Sequence, residues 1–326
     1  MTRYIIKRIL YIIPVMFGVL VLLFAMKMIM PGDPTSELLP ATATEEQRNE
    51  LREELGLNDP VLVQFGDYIW GVITRLDLGT SYKTRQPVMT ELLSRIPKTI
   101  VVAIVSLLIS QVIATPLGIL AAVKQNTWVD ALIVFLTMVG ASLPSFWLAL
   151  MLIQLFSVDL KWLPGMYDGT AISYVLPVLC VAINAISATA RGVRTNMLEI
   201  IRQDYIMTAR AKGQKESVVI LRHGFRNCLI PVIAGIGGAL GAQLGGALIV
   251  ETVFAVPGVG KYVADAVTQR NFPSVMGGVL VTAFMFVIIN IFVDIFYTVA
   301  DPRLKSNLFK AKVSKEKKRV AAGGGN

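Results

Sequence analysis

TIVVAIVSLLISQVIATPLGILAAV, residues 99–123, runs for 25 residues without Asp, Glu, Lys or Arg. The hydrocarbon core of a bilayer is about 30 Å thick, and a helix rises about 1.5 Å per residue, so this run is long enough to cross it. A helix also satisfies its own backbone hydrogen bonds, which a chain in lipid requires. The run therefore predicts a transmembrane helix.

Five more charge-free runs of similar length flank it, at 9–26, 131–158, 169–190, 227–250 and 271–293. The chain has 326 residues, of which 54% are hydrophobic and 16% charged. That composition is more apolar and less charged than is usual for a soluble domain. We predict an all-α polytopic membrane protein with six transmembrane helices. The first run is longer than a signal-peptide core, so we expect an uncleaved anchor.

The basic residues predict the orientation. The N-terminal end, the loops 124–130 and 191–226 and the tail from 301 hold 20 of the 31 Lys and Arg residues. The loop 31–95 instead holds 11 acidic and 6 basic residues. By the positive-inside rule both termini are cytoplasmic. The net charge of +9 then reflects topology and attraction to anionic lipid, and we expect no nucleic-acid partner.

The chain divides into four predicted parts: an N-terminal segment with the first helix (1–30), an outer loop with short helices (31–98), a transmembrane core (99–300) that includes the cytoplasmic loop 191–227, and a basic cytoplasmic tail (301–326). In the outer loop, Thr44 and Gln47 form a capping box that predicts a helix start. A second helix is expected after Pro60, where four apolar residues recur at four-residue spacing: Val61, Phe65, Ile69 and Ile73.

The cytoplasmic loop 191–227 is the most informative segment for function. Helix-forming sequence lies on both sides of Gly213, and glycine permits a sharp change of direction. We therefore expect a helix, a bend and a second helix that protrude from the bilayer, with Ala209 and Ala211 at the tip. Such an element suits docking into a groove of another protein. A basic loop that contacts lipid headgroups is the alternative interpretation.

Polar residues inside the predicted spans allow two interpretations, a substrate path or hydrogen bonds between helices. The second is favoured for the uncharged residues Gln111, Gln154, Asn184 and Gln243. Asn290 and Asp294 lie one turn apart near the inner end of the last span, where a structural contact is favoured over a proton relay. Lys27 is expected to reach the headgroups.

The remaining candidate metal ligands are few. Cys180 and Cys228 fall in separate spans and are expected to be buried as small hydrophobic residues. His223 is the single histidine, so no metal site is expected.

The order of motifs along the chain adds a resemblance. The loop sequence DYIMTARAKG (204–213), with Arg222-His223 and Arg226-Asn227, resembles the coupling loop of ATP-binding cassette (ABC) importer permeases of the peptide and nickel branch. In many such permeases Glu-Ala-Ala stands before the glycine, whereas Met207, Thr208 and Ala209 stand here. Further matching motifs span nearly the whole chain: LGL (55–57), DLGTSY (77–82), SLPSFW (142–147), WLP (162–164), ETVF (251–254), PGVG (257–260) and DPR (301–303). The chain resembles the first, B-type permease subunit of the dipeptide, oligopeptide and nickel importer family.

The resemblance implies a type I ABC importer permease fold in the inner membrane of a prokaryote. It implies that the cytoplasmic loop contacts an ATPase through Asp204, Thr208, Ala209, Arg210, Ala211, Lys212, Gly213 and His223. It also implies an outer gate facing a substrate-binding protein, formed by Glu251, Pro257, Gly258 and Gly260. Glu251 would meet a basic patch on that protein or a peptide amino group, and a solvated helix end is the alternative interpretation. The small-residue face at Gly237, Gly241 and Gly245 would pack within the chain or form a moving interface with a second permease.

The expected partners are a second homologous permease, two ATPase subunits, an extracytoplasmic substrate-binding protein, membrane lipid and a peptide substrate. Gly260-Lys261 lacks the rest of a Walker A motif. The chain is therefore expected to be a transport subunit without a cofactor of its own, with ATP and Mg²⁺ held by the ATPase subunits.

The predicted function is to form half of an alternating-access pathway for di- or oligopeptides. Nickel complexes or oligosaccharides remain alternative cargoes for the same architecture. An ion-coupled secondary transporter would be expected to carry charges at mid-membrane depth and an inverted repeat. A structural membrane scaffold would not need the protruding loop.

Overall fold

The computed structural model describes residues 2–29, 35, 38–40, 42–54 and 56–300. The predicted tail 301–326 lies outside them, as do the side chains of Ala234, Ala242 and Asp294. The described part of the chain is helical, apart from one isolated bridge between Thr80 and Pro87. Its α-helices are α1 (Thr2–Ile29), α2 (Glu45–Glu54), α3 (Val61–Arg75), α4 (Val88–Val123), α5 (Trp128–Ser142), α6 (Ser145–Leu152), α7 (Val175–Ile201), α8 (Asp204–Ala211), α9 (Glu216–Val218), α10 (Arg226–Val253), α11 (Val259–Thr268) and α12 (Phe272–Ala300).

Five stretches of these helices are long and apolar enough to cross a membrane: Leu10–Met28, Val88–Val123, Ala171–Ile201, Gly235–Val253 and Phe272–Val293. The second crossing helix starts at Val88, earlier than the predicted residue 99, because it also includes Glu91, Arg95 and Lys98. Glu91 and Arg95 contact Tyr262 and do not extend freely into solvent. The predicted helix is present, but the prediction left out its first residues, which include charged side chains.

The remaining crossing, third in chain order, is bent. We predicted one span over 131–158, and a single straight helix there is wrong: α5 and α6 meet at an angle of 102°. Leu143, before Pro144, is extended with ψ 122°, as expected for a residue that precedes proline. After α6 the helix widens to a π-helical turn, Ile153–Asp159.

A backbone hydrogen bond shows that the bent pair still crosses the molecule. The amide of Tyr167, which follows α6, donates to the carbonyl of Phe254 at 2.8 Å, at the far end of α10. We name the two ends of the helix bundle the Lys27 side and the Gly213 side. Since α10 begins on the Gly213 side and ends on the Lys27 side, six crossings result, counting the bent pair as one.

The core lies between α4, α7 and α10. α4 and α7 have the most extensive packing, and Gly118 permits it, because an added Cβ would come within 2.6 Å of the Ala190 carbonyl oxygen. A cluster of fully buried side chains, including Val102, Leu176 and Phe254, joins the three helices at the Lys27 side. Cys180 and Cys228 are free and buried, as predicted.

The outer-loop helices follow the local sequence signals only in part. The capping box is confirmed, since the Thr44 amide donates to Gln47 Oε1 at 3.1 Å and the Gln47 amide to Thr44 Oγ1 at 3.3 Å. The predicted stripe on α3 is wrong at both ends, because Val61 and Ile73 are exposed. Tyr68 and Val72 instead pack inward with Phe65 and Ile69. Four-residue spacing drifts by about 40° per step around a helix with about 3.6 residues per turn.

Candidate functional site

The Gly213 hairpin consists of α8, the turn at Gly213 and a second arm, which is α9 followed by the π-helical turn Val219–Phe225. The predicted helix, bend and helix are present. Gly213 has a φ of +73°, and its amide donates to the Arg210 carbonyl at 2.9 Å. An added Cβ would meet nothing within 4 Å. Glycine is therefore required here by the left-handed backbone of the turn and not by lack of space.

The hairpin has a small core of its own. Ile206 and Val219 are fully buried, and Ala209 is 7% exposed between them. Ala209 was expected at the tip, but it lies inside the hairpin. Ala211 and Lys212 are the exposed residues next to Gly213. A cluster this small can hold the two arms together because the turn keeps them adjacent in sequence.

An ion pair also joins the two arms. The guanidinium of Arg210 donates from Nη2 to Glu216 Oε1 at 2.6 Å and from Nε to Oε2 at 3.1 Å. These hydrogen bonds hold the pKa of the Glu216 carboxyl below its ordinary value. Arg210 therefore braces the hairpin from within, whereas Lys212 remains exposed.

Polar contacts continue toward the membrane. His223 Nε2 lies 2.9 Å from Gln214 Oε1, and Asn227 Nδ2 donates to Tyr205 Oη at 3.1 Å. At the start of α8, Thr208 Oγ1 donates to the Asp204 carbonyl at 2.9 Å. His223 therefore supports the second arm of the hairpin, while Asp204 and Thr208 lie on the exposed face of α8.

The hairpin exposes large apolar side chains that we did not identify as candidate site residues from the sequence. Met207 and Leu221 are each more than half exposed, and Tyr205 is 43% exposed. The available signal was the presence of large apolar residues in an otherwise polar loop. Such residues are typical anchors of protein interfaces.

The hairpin is rigidly connected to two crossing helices. Ile220, at the start of the second arm's π-helical turn, packs with Met197 of α7 and Cys228 of α10. Gly224 lets α7 approach, since an added Cβ would lie 2.6 Å from Met197 Cε. A displacement of the hairpin would therefore be passed to α7 and α10 together.

The second candidate site, on the Lys27 side, is the turn between α10 and α11. Glu251 is 0% exposed, and its Oε2 accepts hydrogen bonds from the amides of Gly260 at 2.8 Å and Lys261 at 3.1 Å. Thr99 Oγ1 accepts from the amide of Val259 at 2.9 Å. These three amides belong to the first turn of α11, where backbone N–H groups have no acceptor within the helix.

This geometry corrects the predicted role of Glu251. We expected its carboxylate to face a binding protein or a peptide amino group, but it is buried beneath α11 and caps that helix. The negative charge is also favourable at a helix N-terminus. The sequence signal that could have shown this is the pair of glycines that follows.

Gly258 and Gly260 are required by the close approach of Glu251. An added Cβ on Gly258 would collide with the carboxylate, and one on Gly260 would lie 2.5 Å from Leu248 Cα and 2.9 Å from Glu251 Oε2. Pro257, which we grouped with them, is partly exposed at the start of the turn. The glycines therefore build the cap and do not themselves offer side chains to a partner.

Polar contacts hold α11 and the turn that follows it. Tyr262 Oη lies 2.7 Å from Glu91 Oε2 and 2.8 Å from Ser274 Oγ. After α11, Asn271 Nδ2 donates to Ser81 Oγ at 2.8 Å. The motif 77–82 and the α11–α12 turn thus form one connected layer on the Lys27 side.

The glycines of α10 differ in the space around them, although Gly238, Gly241 and Gly245 line one cavity. Gly237 and Gly241 pack within the chain, where added Cβ atoms would lie 3.0 Å from Asn290 Oδ1 and collide with the Phe286 ring. Gly245 has nothing within 4 Å and lines a cavity of about 490 Å³ between α4, α10, α11 and α12. Gly238 is also open to that cavity. Two of the three predicted packing glycines are therefore used internally.

The polar residues predicted inside the spans differ in their contacts. Gln243 Oε1 accepts from Ser106 Oγ at 3.2 Å, and Asn184 Nδ2 donates to Ser145 Oγ at 3.4 Å, so both link helices. Gln154 is exposed and bonds to nearby Asp159. Gln111 Oε1 and Gln243 Nε2 are buried without a hydrogen-bond partner among the described residues.

An ion pair on the Gly213 side was not predicted from the sequence. Arg194 of α7 donates from Nε and Nη2 to the two carboxylate oxygens of Asp130, each at 2.7 Å. Asp130 also accepts from the Asn126 amide at 3.1 Å. The only signal was an acidic residue at the start of a predicted span, which we placed outside the span.

Comparison with known families assigns this helix bundle to a class of membrane transport proteins. Residues 114–306 match the family described as the binding-protein-dependent transport system inner membrane component, and residues 1–103 match the N-terminal part of such membrane components. The protein belongs to this family.

Individual relatives agree with this. The dipeptide transport system permease protein DppB of Alkalihalophilus pseudofirmus is 38% identical, over 94% of this chain and 100% of its own length. The glutathione transport system permease protein GsiC of Salmonella typhimurium is also 38% identical, over 94% and 99% respectively. The fold is similar to a chain of the inward-facing MetNI methionine ABC transporter, with a TM-score of 0.56 and 18% identity over 65% of this chain and 97% of that chain.

Family membership settles the coarse function. The chain is a multi-pass inner-membrane permease component of a binding-protein-dependent ABC transporter. It therefore works with an ATPase and a substrate-binding protein, and ATP is hydrolysed by the ATPase subunits.

Proposed function

We propose that the chain forms half of an alternating-access pathway for di- or oligopeptides, together with a second homologous permease, and that the Gly213 hairpin docks into a groove of an ATPase. The observation that carries this proposal is the hairpin itself. It has its own core, an internal ion pair and an exposed end, and it packs on both α7 and α10. An element of this kind can transmit a push without unfolding.

The exposed face of α8 is the docking surface in this proposal. It presents Tyr205, Met207 and Thr208, with Ala211 and Lys212 at the tip. Large apolar side chains with a cation beside them suit an interface with an apolar centre and an acidic rim. Arg210 and Ala209 act indirectly, by holding this face in place.

Peptide cargo is supported by the relatives, whose names specify dipeptide and glutathione transport. Alternating access means that ATP-driven closure of the ATPase pair favours one of two permease conformations through the hairpin. The positive-inside pattern supports a cytoplasmic location for the Gly213 side.

The test is reconstitution in liposomes with the second permease, the ATPase subunits and the binding protein. Gly213→Ala strains the turn, and Gly169→Ala is a matched control because Gly169 also has a positive φ, +90°, and open space around it. We expect Gly213→Ala to lower peptide-stimulated ATPase activity and uptake and Gly169→Ala to leave both unchanged. Uptake without ATP, or full coupling after deletion of residues 209–215, would contradict the proposal.

Cargo is tested in the same vesicles by competition. Labelled dipeptide or tripeptide uptake should be reduced by unlabelled peptides, and not by nickel–histidine or maltotriose. Competition by the nickel complex or the sugar alone would replace the peptide assignment while leaving the hairpin's role intact.

A further inference from the structure

α3 has three distinct faces. One packs against the bundle through Phe65, Tyr68, Ile69 and Val72. The exposed surface of α3 has an apolar face and a polar face. At about 100° of rotation per residue, Leu62, Trp70 and Ile73 fall within about 80° of one another and form the apolar face. Asp67 and Thr74 lie beside them and form the polar face. Leu62, Trp70 and Ile73 are 82%, 66% and 71% exposed. A contiguous exposed apolar face of this kind marks a surface that contacts a membrane or another protein.

Contacts with α1 give the depth of α3. The Phe65 ring lies 5.2 Å from the ring of Phe24 and 6.2 Å from that of Phe17, and both are edge-on contacts. Lys27 is the charged residue at the end of the apolar part of α1, in its last turn. At about 1.5 Å per residue, Phe24 is about 4.5 Å and Phe17 about 15 Å below Lys27 along the helix axis. Phe65 therefore sits below the level at which α1 meets the headgroups.

This depth agrees with a position in the membrane interface. Amphipathic helices that lie on a membrane bury their apolar face about 5–10 Å into the boundary between headgroups and acyl chains. Lys27 Nζ donates to Gln64 Oε1 at 3.0 Å, which ties the first turn of α3 to the polar end of α1. Tryptophan is also enriched at this boundary, because its ring is apolar and its N–H needs a polar partner.

The apolar face of α3 is also continuous with a lipid-facing surface. α1 exposes large apolar side chains along its length, including Ile13, Leu22 and Met26. α1 is a membrane-crossing helix, so exposed residues at these levels face acyl chains unless another subunit covers them. α3 packs on the part of α1 between Met16 and Phe24, which includes the level of Leu22.

We propose that α3 is an interfacial helix embedded in the leaflet that surrounds the Lys27 end of α1. Leu62, Trp70 and Ile73 contact acyl chains, and Asp67 and Thr74 face water. A soluble binding protein fits this face poorly, because the contacts of Phe65 place α3 below the headgroup level. The embedded helix fixes the layer formed by 77–82 and the α11–α12 turn relative to the bilayer surface.

Quenching of Trp70 fluorescence by lipids brominated on the acyl chains tests the location. Trp128, Trp147 and Trp162 are replaced by Phe, which leaves Trp70 as the single tryptophan among the four in the chain. The matched control carries Trp70→Phe and Thr74→Trp on the same background. In nanodiscs we expect severalfold stronger bromolipid quenching for Trp70 than for the control, and the reverse order with aqueous iodide. Equal quenching, or iodide quenching of Trp70 alone, would overturn the proposal.

A protein partner on this face is distinguished by assembly. The quenching is measured on the chain within the complete importer, with and without binding protein. Unchanged bromolipid quenching supports the proposal, and its loss in the complete importer assigns the face to a protein subunit instead.

Single cysteine substitutions avoid the risk that the tryptophan variants fail to fold. Ile73→Cys and Thr74→Cys are labelled in native membranes with a membrane-impermeant maleimide, since both native cysteines are buried. We expect Thr74→Cys to react and Ile73→Cys to react many-fold more slowly. Equal reaction rates would contradict embedding of the apolar face.

Discussion

The carboxylate of Glu251, at the end of α10, accepts a hydrogen bond of 2.8 Å from the amide of Gly260, in the first turn of α11. One side chain thereby caps the next helix after a tight turn and links two elements that the sequence separates by proline and glycine. The link also depends on α4, because Thr99 Oγ1 accepts a hydrogen bond from the neighbouring amide of Val259. The turn is therefore a joint of three helices.

Replacement of Glu251 by Ala should destabilise the protein. Two amides of α11 would lose their acceptor in a buried place, at a cost of about 2–4 kcal/mol. Glu251→Gln keeps one acceptor oxygen and should cost less. Thermal unfolding of the purified chain measures the difference, with Glu53→Gln on exposed α2 as the control. An unchanged midpoint for Glu251→Ala would show that the cap contributes nothing to stability.

Gly260→Ala should also be destabilising, for a steric reason. Its Cβ would lie 2.5 Å from Leu248 Cα, which is backbone and cannot rotate away. We expect a loss of about 1–3 kcal/mol, typical of overpacking. Gly238→Ala is the control, since an added Cβ there meets nothing within 4 Å. The two variants are compared by thermal unfolding, and equal midpoints would contradict the close approach.

Elements whose cause is local could be predicted from sequence. The membrane helices follow from charge-free runs, the start of α2 from Thr44 and Gln47, and the hairpin turn from Gly213. The bend at Pro144 was visible as a proline, but its angle depends on how α6 packs against α7 and α10. The sequence therefore predicts that the third crossing exists, but it does not predict the bend between α5 and α6.

Pairings between distant residues could not be predicted. Glu251 looked like a solvated helix end, because nothing in its neighbourhood shows that α11 folds back over it. Asp130 and Arg194 are 64 residues apart, and only the packing of α5 on α7 brings them together. Ala209 looked like part of a small-residue tip until the second arm of the hairpin covered it. In each case a tertiary contact decided the role.

The Asp130–Arg194 pair should contribute to stability as a unit. Its carboxylate is almost fully buried, with a side-chain exposure of 7%. Removing either partner should cost about 1–3 kcal/mol, because the other charge loses its hydrogen bonds. A double-mutant cycle with Asp130→Asn and Arg194→Gln measures the coupling by thermal unfolding. Additive losses would mean that the two residues act independently.

The hairpin should resist mild acid. Arg210 lowers the pKa of the Glu216 carboxyl below its ordinary value, so the ion pair stabilises the hairpin above that value and is lost as pH falls through the lowered pKa. Hydrogen exchange of the α8 amides should therefore be protected equally at pH 7 and pH 5.5 after correction for intrinsic rates. Glu216→Gln should raise exchange at both. A wild-type loss of protection between these pH values would contradict the assignment.

Two glycines of α10, Gly241 and Gly245, should respond differently to alanine. Gly241→Ala forces a Cβ into the ring of Phe286 and should lower the stability of the isolated chain. Gly245→Ala meets open space, and alanine favours a helix over glycine by about 1 kcal/mol, so the isolated chain should be as stable as before or more so.

Assembly with the second permease should reverse the ranking for Gly245 if its face is the interface between the two subunits. An added methyl group on a close-packed small-residue face keeps the helices apart. Co-purification of the two permeases should then fall for Gly245→Ala although the chain itself remains folded. Full assembly with Gly245→Ala would show that this face and its cavity lie away from the second permease, and thermal unfolding of the isolated variant separates that result from simple misfolding.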